Sequence, residues 1–294
     1  MRLARIELAG QAFWAQVDAS GNHCRRVRAP FVSWAGLGAN LHPDALDLAD
    51  ERLLLAGARL LPPLEPGSRV FGVGLNYLSH LERLGSKAPA HPLAYLKPDS
   101  ALIGANDPIS YSPLTRQLDY EVELVAVVGR PLLDEPRAST CLLGFTVGND
   151  ISARDAGRQI GRLDLLTQKA MDRTTPAGPW IVTADEFCGD QQPALEMRLS
   201  VNDEVRQHDN TRHMIFPLDE LLNYLDARIK LRPGDLVFTG STHGVGLESG
   251  RFLQPGDHVV AHIGGIGQLR NTVTAASTLS PSRGVGRLGL PLDQ

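Results

Sequence analysis

The segment LDYEVELVAVVG, from Leu118 to Gly129, reads as a β-strand closed by a glycine. Alternation of side chains along a strand puts Asp119, Glu121, Glu123, Val125 and Val127 on one face and Tyr120, Val122, Leu124, Ala126 and Val128 on the other. The second face is wholly apolar and the first turns apolar halfway, the pattern of a strand covered on both sides. Yet two glutamates project together from the first face. Two dry, ionised carboxylates would cost several kcal/mol apiece. They therefore call for water on an edge strand, a basic partner, or a divalent cation. Oxygen-only donors suit Mg²⁺, with Mn²⁺ or Ca²⁺ as alternatives. Asp150 is the candidate third carboxylate, because it ends the apolar run of GFTVGND and precedes a helix-like stretch; its other reading is a helix N-cap.

Outward from this strand, the chain is rich in short extended segments. RLARIEL and QAFWAQVD predict a hairpin around Ala9-Gly10, and residues 41–56 are weakly helix-like. LLPPLEPGSR, residues 60–69, carries three prolines and a glycine and reads as a linker. The expected organisation is a small N-terminal domain over 1–65, a main domain over 66–275 and a loose Ser/Pro/Gly-rich tail over 276–294. In the main domain RVFGVGLNY predicts a strand, LSHLERLG a short helix stopped by Gly85, and SARDAGRQIG a further helix. Asn202-Asp203 marks a hairpin turn, and PLDELLNYLDARIKL has the spacing of an amphipathic helix. LRPGDLVFTG and LQPGDHVVAHIGG each place a Pro-Gly-Asp turn before a strand. The irregular order of strands and helices predicts an α+β, β-rich fold, not a regular βαβ alternation.

The 294 residues are 43% hydrophobic and 21% charged, an ordinary globular balance, with a formal net charge of −4. No basic run exceeds CRRVR, so no nucleic-acid partner is expected. Three cysteines without C-x-x-C spacing argue against a disulfide scaffold or a zinc cluster. The N-terminus lacks the apolar core of a signal peptide, and no stretch approaches a membrane span, so a cytoplasmic location is expected. GVGLNY and GGIGQL lack a Rossmann context, TGSTHGVG is not a P-loop, and there is no G-x-S-x-G elbow.

GVGLNYLSH, YLKP, DYEVELVAVVG, GFTVGNDISARD, KAMDRTTPAGPW, VNDEVRQHDNTRHMIF, LRPGDLVFTGSTHGVG and LQPGDHVVAHIGGIGQLRN follow one another in this order. Together they resemble the fumarylacetoacetate hydrolase family over about residues 66–275. The resemblance implies a mixed β-sandwich roll of the fumarylacetoacetase C-terminal type, usually a homodimer. It implies Mg²⁺ or Mn²⁺ held by Glu121, Glu123 and Asp150, and small-molecule substrates that are 2-oxo acids or 1,3-dicarbonyl compounds. It places Lys169 as the active-site lysine, Arg154 as a substrate-facing arginine, with Tyr77 and Ser241 beside the substrate, and His80 as a base on a lid helix. Three departures stand out. The glutamate expected three residues after the histidine is Arg83, which leaves Glu82, on another helical face, or a distant carboxylate as the partner of His80. The usual TGTPxGVG reads TGSTHGVG, with Thr242 in place of proline and His243 following. A glutamine common three residues after the arginine is Gly157.

Three functional readings follow. The first is a metal-dependent hydrolase cleaving a C–C bond of an acylpyruvate-type substrate, with His80 deprotonating water. The second keeps an enolate and drops the water, giving a decarboxylase or an enol–keto isomerase or hydratase of a 2-oxo diacid. The third is a metal-stabilised, non-catalytic family member.

Overall fold

The computed structural model describes residues 1–38, 41–133, 137–158, 163–187 and 192–275. The expected tail over 276–294 lies outside the described residues. Two sheets form the body. The main sheet runs in the order Leu53–Leu54, His23–Arg26, Gln11–Val17, Arg2–Leu8, Thr175–Thr183, Leu142–Asn149, Val122–Val128, Leu236–Ser241, Val70–Gly74 and Leu93–Lys97. The second runs Glu204–Asn210, Glu196–Val201, His258–Ile263, Gly267–Ala275 and Ile109–Tyr111.

Val122–Val128 lies deep in the main sheet, antiparallel to Leu142–Asn149 on one side and to Leu236–Ser241 on the other, and all seven of its residues are buried. Its two faces separate as the alternation requires. Val122, Leu124, Ala126 and Val128 join the core between the sheets, against Met197, Leu199, Val259, Ala261 and Leu269 of the second sheet. Val125 and Val127 face a second core with Trp14, Phe31 and Trp34. Those three aromatic rings pack with centroids 4.8–5.6 Å apart. The protein is a strand-rich, two-sheet α+β fold, as the sequence pattern predicts.

The N-terminal segment continues the main sheet. Arg2 and Leu3 pair with Val182 and Ile181, while Arg5–Glu7 pair with Arg59–Leu61, which runs into the start of the expected linker. The boundary drawn at 65/66 is therefore not a break in the sheet. The Ala9-Gly10 hairpin, the Asn202-Asp203 turn (both residues at positive φ) and the helix Leu218–Asp226, with its leucines buried, follow the sequence reading.

Elsewhere tertiary contacts override local pattern. Residues 41–56 form no α-helix: a 3₁₀ turn at Pro43–Ala45 and the strand Leu53–Leu54 replace it, because Leu41 and Leu46 are drawn into the Trp14–Trp34 core. The helix expected over SARDAGRQIG is a two-residue strand, Ser152–Ala153, and a 3₁₀ turn, Ala156–Arg158, with residues 159–162 outside the described set. The segment from Leu118 is interrupted at Tyr120-Glu121. Leu118–Asp119 pairs with Ser152–Ala153, and the main strand begins at Val122. Bonds from elsewhere make the break: Glu121 N donates to Asn149 Oδ1 at 2.9 Å, and Asp150 N donates to Glu121 O at 2.8 Å. Among the described residues no helix is long and apolar enough to cross a membrane.

Candidate active site

The interruption at Tyr120-Glu121 assembles the acidic group. Register pairs Val122 with Asn149, so Glu121 and Asp150 emerge side by side just beyond the paired strands, while Glu123 is the second residue of its strand, opposite Gly148. One carboxylate oxygen from each of Glu121, Glu123 and Asp150 lies within 4.8 Å of the others. The three residues are 7%, 1% and 0% exposed, so bulk water does not solvate them.

Basic side chains solvate two of the three. Lys169 Nζ donates to Asp150 Oδ2 at 2.6 Å and to Glu121 Oε2. Lys97 Nζ donates to Asp150 Oδ1 at 2.6 Å and to the Lys169 carbonyl, and Tyr95 OH donates to Asp150 Oδ2. Arg154 divides its guanidinium between Asp119 Oδ2 at 2.8 Å and Glu121 Oε1 at 2.5 Å. Burial alone would raise the Asp150 and Glu121 carboxyls. For Asp150, Lys169 and Lys97 reverse this and hold it well below the usual range; for Glu121, Arg154 and Lys169 outweigh burial and lower it. Burial lowers the Lys97 ammonium against the pull of Asp150.

Glu123 differs. Among the described residues its carboxylate accepts one bond, from Gly240 N at 2.8 Å, and has no basic partner within ion-pair distance. Burial, then Asp150 and Glu121, pushes its pKa far up. Asp119, Glu121, Glu123 and Asp150 bring four carboxylates against the three cations Lys97, Lys169 and Arg154. With all four ionised, one negative charge remains. A buried surplus charge within a set of hard oxygen donors fits a divalent cation, which would supply what Glu123 lacks.

The histidine stands on the helix Leu78–Leu84, which ends at Gly85 in the left-handed region. Its entry is pinned by the fully buried Asn76. The Asn76 amide donates to Thr239 O at 2.7 Å and accepts from Phe216 N at 2.7 Å. His80 is buried, and its Nδ1 meets Glu248 Oε1 at 2.7 Å. Glu248 sits on the short helix Gly246–Ser249, and its other oxygen accepts from Gly244 N at 2.8 Å. The N–H groups of Gly246 and Leu247 in turn bond Asp119, the carboxylate that holds Arg154. Continuous bonds thus link the histidine's partner to the acidic group. Glu82, offered as that partner by sequence, is exposed, as is Arg83.

Tyr77 and Ser241 are committed to the framework. Tyr77 OH donates to Met197 Sδ at 3.1 Å from a fully buried position. Ser241 Oγ donates to Val122 O at 2.9 Å and accepts from Gln207 Nε2 at 3.0 Å. Sequence reasoning left Glu248, Lys97, Tyr95 and Gln207 without roles. Lys97 and Tyr95 lay in the quoted YLKP motif and Asp119 on the same strand face as the glutamates; Glu248, 168 residues from His80, had no local signal.

Residues 69–274 match the family described as fumarylacetoacetate (FAA) hydrolase C-terminal. The chain is 39% identical over 221 residues to Protein Rv2993c of Mycobacterium tuberculosis, covering 74% of this chain and 80% of that one. It superposes with a TM-score of 0.77 on 5-carboxymethyl-2-hydroxymuconate delta-isomerase from Mycobacterium smegmatis, at 33% identity over 94% of this chain and 100% of the other. A fumarylacetoacetate hydrolase from Exiguobacterium antarcticum superposes with a TM-score of 0.77 at 29% identity, over 94% of this chain and 99% of the other. Because the match covers more than half of the chain, including the second sheet and all three carboxylates, and the relatives align over most of their own length, this chain belongs to the fumarylacetoacetate hydrolase family.

Proposed function

We propose that the protein is a divalent-metal-dependent hydrolase that cleaves a C–C bond in an acylpyruvate-type 1,3-dicarbonyl or 2-oxo acid. The observation that carries this reading is the buried His80–Glu248 pair tied by hydrogen bonds to a buried three-carboxylate group. A bound Mg²⁺, held by Glu121, Glu123 and Asp150, would polarise the oxygens of a chelating substrate and offset the charge that develops on them.

The chain's own residues do the rest. Glu248 holds Nδ1 of His80, which fixes the ring and leaves Nε2 to take a proton from water. The hydroxide adds to the carbonyl carbon distal to the substrate's carboxylate. The C–C bond then breaks, one fragment leaves as a carboxylic acid, and the other takes the bonding pair and recovers a proton from the imidazolium. Lys169 and the positive charge of Arg154 draw the substrate's carboxylate toward the site. With Arg154 shared between Asp119 and Glu121, its first duty is to orient Glu121. The charge balance and apolar patterning support placing the enzyme in the cytoplasm without nucleic-acid or membrane partners, and the family resemblance supports a homodimer acting on a small molecule.

A screen of acylpyruvates and 2-oxo diacids with Mg²⁺, run in ¹⁸O-water and followed by loss of the ultraviolet enol band, tests the proposal. Hydrolysis places the label in a new product carboxylate. The second reading, enol–keto isomerisation, is favoured by the similarity to a solved structure named as an isomerase. It consumes the enol band with no labelled carboxylate, and decarboxylation does so with release of CO₂.

A further inference from the structure

Ser79, the residue before His80, and Thr242, two before Gly244, converge on one carboxylate. Asp209 Oδ2 accepts from Ser79 Oγ at 2.6 Å and from Thr242 Oγ1, and the two hydroxyls are themselves 3.0 Å apart. Oδ1 of the same residue meets His213 Nδ1 at 2.5 Å and accepts from Asn210 N at 2.8 Å. The carboxylate is only 7% exposed. These bonds close a ring: His80 meets Glu248, Glu248 holds Gly244 N, Thr242 on the same loop bonds Asp209, and Asp209 returns to Ser79.

We propose that Asp209 and Thr242 form a latch that fixes the helix Leu78–Leu84 on the loop after Ser241, and so act as positioning residues for His80. The inference rests on the reading of His80 as the proton acceptor. A seven-residue helix has little stability of its own and is held by its tertiary contacts. Asn76 anchors the chain where it enters the helix, but beside the imidazole the bond to Glu248 alone would leave the first turn free to pivot about that contact. The second attachment, one residue away, removes the pivot and fixes the imidazole relative to Glu248. A hydrogen bond to a charged acceptor is the stronger kind, which suits the task. The latch requires a hydroxyl at 242. The proline that the family pattern places there has none to donate, so the latch belongs to this chain's TGSTHGVG variant.

The test uses the full chain and the variants Thr242→Val, Thr242→Ser and Asp209→Asn. Amide hydrogen exchange is read over residues 76–86, with the strand Val122–Val128 as internal reference. Exchange over the helix should rise about tenfold in Thr242→Val with the reference strand unchanged, and Thr242→Ser should restore protection; in Asp209→Asn, which also lowers global stability, the helix should rise about tenfold more than the reference strand does. On any substrate turned over, kcat should fall about tenfold with KM within about twofold. Unchanged helix exchange in Thr242→Val and Asp209→Asn overturns the latch. So does a rise shared equally by the reference strand, which would mark general loss of stability, and so does looser exchange with unaltered kcat, which would deny positioning. Absence of turnover on every substrate counts against the proposed function, and the exchange result then decides the latch alone.

Discussion

His80 Nδ1 and Glu248 Oε1 lie 2.7 Å apart although 168 residues separate them in the chain. The pairing supplies from the loop after Ser241 the carboxylate that the helix itself lacks at Arg83. It predicts that the two residues act as a unit. His80→Gln should lower kcat by roughly 10²–10⁴. Glu248→Gln should also lower it, and the double variant should be little worse than His80→Gln alone. Additive losses in steady-state kinetics would mean that the residues act separately.

Lys97 is fully buried against Asp150, and its ammonium is the bridge between that carboxylate and the Lys169 carbonyl. Removing one partner of such a pair leaves an uncompensated buried charge. Lys97→Met should therefore cost on the order of 3 kcal/mol in urea unfolding of chelator-treated protein. A change below about 1 kcal/mol would show that the remaining partners of Asp150 suffice.

Asp209 gives the stability of the fold a pH signature. Burial would raise its carboxyl, but the bonds from Ser79, Thr242 and His213 outweigh that and hold it at about 2. A folded value below the unfolded one stabilises the protein above the unfolded range, and the contribution is lost as pH falls through about 4 toward 2. Asp209→Asn should thus be on the order of 1–2 kcal/mol less stable than the parent at pH 7, with the gap roughly halved at pH 3. Equal gaps at both pH values, in paired urea titrations, would contradict the assignment.

The parts of the fold readable in sequence are those governed by local periodicity. Val122 and Leu124 fall in one core and Val125 and Val127 in the other because a strand alternates, and Leu218, Leu221, Leu222 and Leu225 share a helix face for the same kind of reason. The triad of Glu121, Glu123 and Asp150 was legible because the alternation of the sequence sets two members two residues apart and the third directly follows the strand Leu142–Asn149. What escaped depended on distant partners. The interruption at Tyr120-Glu121 is imposed by Asn149 and Asp150, and the turn at 43–45 by the tryptophan core that takes Leu41 and Leu46. The commitment of Tyr77 to Met197 and of Ser241 to Gln207 likewise joins residues with no sequence pattern in common.

Glu123, which among the described residues has no basic side chain within ion-pair distance, carries the central claim that this site holds a divalent cation. Calorimetric titration of Mg²⁺ into chelator-stripped protein, beside Glu123→Gln, measures it. The account predicts one ion per chain in the parent, a gain in stability of about 2.7 kcal/mol at a hundred times Kd that raises the melting temperature, and loss of both in the variant. A parent that binds no ion, or a variant that binds it equally well, would contradict the account.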